Sequence, residues 1–379
     1  MENGIYFDNS ATTKPCEEAV NAAVNCLTEN WGNPSSVHAL GVNSMLSLVK
    51  SREIIAKSIS AKSEEIIFTS GGTEANNLAL IGACLSLKKQ GNKVISFKTE
   101  HPSVLNTLKH LEFLGFNIVV LDTEKDGKVN KELLLNAVDQ DTILVSCMMV
   151  NNEIGAINNI SELVKAVKAK NQKVIFHTDA VQAYQKMPIN VNDLGVDLLS
   201  ASGHKIHAPK GVGFLYKKKS VNLVPIINGG GQENGIRSGT ENMPLICAFE
   251  AAVKAASNVS NTLNYVTELN KYAREKLSAN PNVIFNSSED SLPYILNISL
   301  NGYKAETVLN ALSLKNIYIS KGSACAKGHR SHVLTALGMN DKLIDSSLRI
   351  SFSRFNTKEE IDILANELFA VTQKLRRFC

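Results

Sequence analysis

From about residue 64 onward the chain alternates short apolar runs with longer amphipathic stretches, and few architectures can absorb that pattern. The runs 66–68, 94–97, 118–121, 142–146 and 174–176 read as buried strands. Between them, 74–87, 102–114, 131–138 and 161–170 have helical length and periodicity. Strand–helix alternation of this kind predicts an α/β fold, a mainly parallel sheet covered by helices on both faces. Ligands of such sheets bind beyond the carboxyl ends of the strands. The residues that directly follow each apolar run are therefore the first candidates for chemistry.

After a long helical segment that begins near Leu245 the texture changes. The segments 282–285, 294–300 and 348–352 suggest a smaller α+β unit, with a boundary near residue 258. A chain of 379 residues is long for one core, so two domains, or one large domain with an appendage, are expected. A net charge of +4 is too mild to argue for nucleic-acid binding. No window approaches the apolar length of a membrane span, and Met1-Glu2-Asn3-Gly4 does not read as a signal peptide. The seven cysteines are scattered without a Cys-x-x-Cys pair, so neither a disulfide framework nor a zinc site is indicated. A reducing, cytoplasmic setting is expected.

Two residues at the predicted rim stand out. Asp179 closes the run that starts at Val174, and Lys205 ends the polar tetrapeptide Ser202-Gly203-His204-Lys205 just after the apolar run 196–200. A lysine at a strand mouth is a poor core residue and a plausible imine-forming amine. Together with an acid at the same rim it suggests pyridoxal phosphate (PLP), whose chemistry uses a Schiff-base lysine and an acid facing the pyridinium nitrogen. Alone, Lys205 is more simply a surface lysine beside a turn.

Ser70-Gly71-Gly72-Thr73 lies between a predicted strand and a predicted helix, where close backbone approach and free N–H groups can hold a phosphate. The absence of a Walker lysine disfavours a nucleoside triphosphate. Asn228-Gly229-Gly230-Gly231-Gln232 lacks a following helix pattern and reads as a connector. The cluster Arg237-Ser238-Gly239-Thr240 has phosphate-binding residue types that a partner subunit could use; an ordinary solvated loop explains it as well. His101, before Pro102, is most simply a helix-start surface residue, but it sits at the rim where ring stacking or proton transfer would be useful. Asn151, Asn152, Glu153 and Gln182 are rim candidates for hydrogen bonds, with turn formation the simpler account of the amides. Cys84, Cys147 and Cys247 lie in apolar or helical surroundings and read as packing residues. Cys325 differs: it sits among small residues with Lys321, Lys327, His329 and Arg330 nearby, and positive charge favours a thiolate, although an exposed cysteine in a turn also accounts for it.

At this point the chain resembles the PLP-dependent cysteine desulfurases of the NifS/IscS type, in the class V aminotransferase-like group of fold type I enzymes. The likeness runs through Asp8-Asn9-Ser10-Ala11-Thr12-Thr13, Gly32-Asn33-Pro34, Thr69 to Asn77, Thr99-Glu100-His101 and Asn151-Asn152-Glu153. It continues through His177-Thr178-Asp179, Ser202 to Lys205, Arg237 to Asn242, Gly322-Ser323-Ala324-Cys325 and Ser347 to Ser351. The resemblance implies a large domain over 14–257 built on a mainly parallel seven-stranded sheet. It also implies a small domain from 1–13 and 258–379 that carries the Cys325 loop.

By the same resemblance, Lys205 would hold PLP covalently and move protons, Asp179 would pair with the ring nitrogen, and His101 would stack on the ring. Gln182 and Asn152 would address the ring hydroxyl. Gly72, Thr73, Ser202 and His204 would bind the phosphate, with Thr240 reaching over from the second subunit of a homodimer. Arg349 would clamp the carboxylate of L-cysteine, with Asn33 nearby, and Cys325 would take the sulfur as a persulfide and leave L-alanine. No resident metal is implied, Cys325 being a candidate only for a transient iron–sulfur contact. The sulfur acceptor would be an iron–sulfur scaffold, a tRNA-thiolation enzyme or a thiamine-pathway carrier, with no direct binding of nucleic acid or membrane. Rival readings are a selenocysteine lyase, a transaminase, or a non-catalytic role in a sulfur-transfer complex. Lys321, Met149 and Ser353 depart from the family pattern, and the segment from Cys325 to Ser331 is short, which bears on the acceptor rather than on the core chemistry.

Overall fold

The computed structural model describes residues 4–256, 258–321, 330–375 and 377. Its strands are β1 (Ile5–Tyr6), β2 (Ile66–Thr69), β3 (Lys93–Phe97), β4 (Asn117–Leu121), β5 (Thr142–Ser146) and β6 (Ile175–Asp179). They continue as β7 (Leu198–Ser202), β8 (Gly213–Lys217), β9 (Val283–Phe285), β10 (Ile295–Leu300), β11 (Ile317–Tyr318) and β12 (Ser347–Ser351). Seven of them form one sheet in the order β2-β8-β7-β6-β5-β3-β4. Strands β3 to β7 pair in parallel, whereas β8 runs antiparallel to both β7 and β2. The reversal has a simple cause. Only residues 203–212 separate β7 from β8, too few for the crossover helix that a parallel pair requires.

The helices that cover this sheet are α1 (Glu17–Thr28), α2 (Ala39–Lys57), α3 (Gly72–Leu87), α4 (Pro102–Phe113), α5 (Lys131–Ala137), α6 (Ile160–Lys170), α7 (Val191–Leu194) and α8 (Met243–Ala255). Helix α3 begins two residues earlier than its apolar pattern suggests. Gly71 at its N-cap has φ of 151° and makes no side-chain cap, so the first backbone N–H groups of α3 have no side-chain partner from the cap. Helix α4 is built the opposite way, with His101 accepting from the Ser103 backbone N–H and Pro102 at the first helical position.

Helix α8 ends at Ala255 and α9 (Val259–Ser278) starts the remainder of the chain. There β10 pairs antiparallel with β12 and β9, while β1 pairs with β11. The N-terminal segment lies against this second sheet, with a bridge from Asp8 to Ser351. One apolar core is continuous from Val145 and Phe176 of the large sheet to Leu296 and Ile298 of the small one. No helix among the described residues is long and apolar enough to cross a membrane.

Candidate active site

The carboxyl ends of β6 and β7, the start of α3 and the N-terminal segment enclose a cavity of about 530 Å³. Its wall includes Gly72, Thr73, His101, Asn152, Glu153, Asp179, Gln182, Ser202, His204, Lys205 and Arg349, so eleven of the residues that sequence singled out meet here. The placement follows from chain direction: parallel strands deliver their last residues to one edge of the sheet.

Asp179 is buried, and its two carboxylate oxygens accept from Asn76 Nδ2 at 2.7 Å and from the Val181 backbone N–H at 2.9 Å. Lys205 Nζ donates to the carbonyls of Ser10 at 2.5 Å and Ala11 at 2.7 Å. His204 lies beside Thr12 at 3.2 Å, and burial with the neighbouring Lys205 charge lowers its imidazole to about 3. Burial also holds His101 below the ordinary imidazole value, while the Asp179 charge pulls the other way. His101 Nδ1 accepts from the Ser103 N–H at 3.1 Å, which places the proton of the neutral ring on Nε2. Beneath the rim, His177 links Ser146 of β5 to Ser200 of β7, and burial pushes it down to about 4.

Arg349 reaches the cavity from β12 of the second sheet. Its Nη1 donates to the Asn152 carbonyl at 2.8 Å and its Nη2 to Asp8 Oδ1 at 2.9 Å. Arg349 is 1% exposed and its guanidinium already engages a carboxylate, the chemistry a substrate carboxylate would ask of it.

The family described as Aminotransferase class-V matches residues 5–364 of the chain. The chain belongs to that family. Among curated class-V relatives, a protein named cysteine desulfurase IscS from Dictyoglomus turgidum is 41% identical, covering 99% of this chain and 96% of that protein. A protein named mitochondrial cysteine desulfurase from Candida albicans is 40% identical over 98% of this chain and 78% of its own length. A solved structure described as a NifS-like protein superposes with a TM-score of 0.94 at 35% identity, covering 98% of this chain and all of that one.

Some sequence candidates of this class-V chain fall elsewhere. Asn33 and Thr240 are exposed and do not line the cavity. Asn151 acts as the turn former that its residue type suggests: its side chain accepts from the Glu153 and Ile154 backbone N–H groups. Arg237 is turned onto Glu74 of α3, at 2.8 Å and 3.3 Å, rather than toward a ligand. Cys325 lies outside the described residues. Two of the cations thought to surround it are spoken for: Lys321 pairs with Glu306, and Arg330 forks onto Asp341 and Asp345. Cys84 and Cys147 are fully buried, and burial raises both thiols, Cys84 to about 12.

Residues not anticipated also line the cavity. Asn76 stands one turn after Gly72 on α3, and a polar residue on an otherwise apolar helix face was the available signal. His332 enters from the short helix His332–Ala336 and donates from Nε2 to the Glu100 carbonyl at 2.9 Å. Nothing in local sequence marks it, because its partner is 232 residues away.

Proposed function

We propose that the chain is a PLP-dependent cysteine desulfurase that converts L-cysteine to L-alanine and holds the sulfur as a persulfide on Cys325 for an acceptor protein. The observation that carries this reading is the meeting of Lys205 and Asp179 on one cavity whose wall also includes Arg349. The residues present fit PLP. A Cβ on Gly72 would lie 2.6 Å from Val181 Cγ2, so only glycine leaves the cradle at the start of α3 open. Backbone N–H groups of α3, with the Thr73 and Ser202 hydroxyls and His204, form a donor set suited to a phosphate. Asp179, anchored by Asn76 and Val181, suits a protonated ring nitrogen, and Gln182 and Asn152 suit the ring hydroxyl.

When bound, PLP supplies an electron sink for bonds at the substrate Cα. The chain does the rest. Arg349 holds the substrate carboxylate in a two-pronged grip that exchanges with Asp8. Lys205, released from the Ser10 and Ala11 carbonyls, takes and returns the Cα proton. His101, neutral with its proton on Nε2, stands on the cavity wall to stack on the ring and exchange a proton there. The Cys325 thiolate attacks the substrate sulfur; the S–S bond forms as C–S breaks, the carbon keeps the electron pair, and a proton completes alanine.

The same proposal makes the enzyme a homodimer. Helices α1 and α2 and the turn between them expose Val24, Leu27, Trp31, Met45 and Leu46, an apolar surface that a second copy would cover. Thr240, exposed here, would then complete the neighbouring phosphate site. We assign 14–257 to a large cofactor-binding domain and 1–13 with 258–379 to a small one. The acceptor is an iron–sulfur scaffold, a tRNA-thiolation enzyme or a thiamine-pathway carrier. The free thiols Cys16, Cys26, Cys84, Cys147 and Cys247 support a reducing cytoplasm. The cofactor reading is tested by reconstitution with PLP, borohydride reduction and peptide mapping. A yellow protein labelled at Lys205 is expected; a colourless protein, or label on another lysine, contradicts it.

A further inference from the structure

Lys186 is a buried amine that has no carboxylate partner among the described residues. It is 5% exposed, its Nζ donates to Gln182 Oε1 at 2.9 Å, and it lies 5.7 Å from the Tyr294 ring centroid. A second cavity of about 30 Å³, room for a water molecule, is lined by Lys186, Lys205, His207 and Arg354 and by no Asp or Glu. The titratable groups that face it are cationic or neutral. They are Lys205, His204 and His207 after β7, Arg349 and Arg354 in and after β12, and Tyr294 before β10. Lysines are almost never buried without a carboxylate, so this one asks for a use.

The hydrogen bonds form a relay. Lys186 donates to Gln182 Oε1, Gln182 Nε2 donates to the Ser10 carbonyl at 3.0 Å, and the same carbonyl accepts from Lys205 Nζ. An amine donor at one end and a carbonyl at the other leave one orientation for the Gln182 amide, with Nε2 facing Ser10. When Lys205 moves away, Gln182 keeps the Ser10 carbonyl bonded, so that buried acceptor is not left bare. Lys205 also faces Asp179 and Glu153 across the larger cavity, but on its Lys186 side two amines share a small cavity without carboxylates, and each makes the other shed a proton more readily. Burial, with the charges of Lys205 and Arg349, brings Lys186 down to about 7.

We propose that Lys186 is a positioning residue: through Gln182 it sets which end of the amide faces the cofactor, and by its charge it favours the neutral, reactive form of Lys205. This rests on the PLP reading above. The test follows PLP uptake by the full-length apoprotein through its visible absorbance across pH, for wild type, Lys186→Met and Lys186→Gln. The Met variant removes both donor and charge. It should take up PLP about tenfold more slowly near neutrality, and the pH midpoint of the visible band should rise by about one unit. The Gln variant keeps a donor, so its PLP affinity should stay near wild type while its midpoint rises as in the Met variant. If the Met variant does not fold, the midpoint of the Gln variant decides. Uptake rate, affinity and midpoint all unchanged would overturn the inference and leave the cofactor reading intact. A wild-type protein that takes up no PLP would overturn both.

Discussion

Gly72→Ala tests the cradle at the start of α3 with a single methyl. The added Cβ would sit 2.6 Å from Val181 Cγ2 and 3.6 Å from Ser202 Cβ. Carbon atoms prefer about 3.5–4 Å, so something must shift by about 1 Å. Val181 is β-branched and stiff at χ1, so it cannot simply rotate away. Its backbone N–H is also one of the two anchors of Asp179, at 2.9 Å, and displacing it loosens the carboxylate meant for the ring nitrogen. Overpacking of this kind typically costs about 1–3 kcal/mol, which corresponds to PLP binding weaker by about 5- to 150-fold. The assay is a PLP titration of apoprotein by absorbance and fluorescence. Val181→Ala removes the obstructing methyl, so the double variant Gly72→Ala/Val181→Ala should regain most of the lost affinity. Wild-type affinity in the single variant, or a double variant no better than the single, would refute the reasoning.

Two further outcomes follow from the same geometry. Arg349→Lys keeps the charge but loses the fork that holds Asn152 and Asp8, so KM for L-cysteine should rise about tenfold or more, with a smaller change in kcat; an unchanged KM would remove Arg349 from the substrate site. His177 is depressed to about 4 in the folded chain, so as pH falls below about 6.5 the unfolded chain takes up a proton that the folded one refuses. The stability loss is about 2 kcal/mol by about pH 5. The buried carboxyls of Glu100 and Glu153 are raised and act with the opposite sign, so the His177 share is read as a difference. The fall in melting temperature between about pH 7.5 and pH 5 should be smaller in His177→Gln than in wild type, and an equal fall would contradict the assignment.

Much of this arrangement was legible because short-range rules governed it. The apolar runs became strands β2 to β6 within a residue or two at most ends, and the rim position of Asp179 followed from strand direction alone. Lys205 was legible for the same reason. The antiparallel β8 was not anticipated, although the short 203–212 connection contained the cause. Asp8, His332 and Lys186 were missed as site residues because their roles depend on partners brought together by the fold. Arg349 lies 341 residues from Asp8, and no local pattern encodes that meeting. The partners of Arg237 and Arg330 were also invisible in sequence, and the fold supplies Glu74, Asp341 and Asp345. Sequence can count charges, but only packing decides which of them are neutralised.

The central claim is that this class-V chain moves sulfur from L-cysteine to Cys325, and the products of one reaction test it most directly. PLP-loaded wild type and Cys325→Ser are each given L-cysteine and a thiol reductant, and alanine and sulfide are quantified together. The account predicts alanine and sulfide in equal amounts from wild type, and neither above background from Cys325→Ser although it still binds PLP. Pyruvate or a keto acid in place of alanine, or full sulfide release by Cys325→Ser, would contradict it.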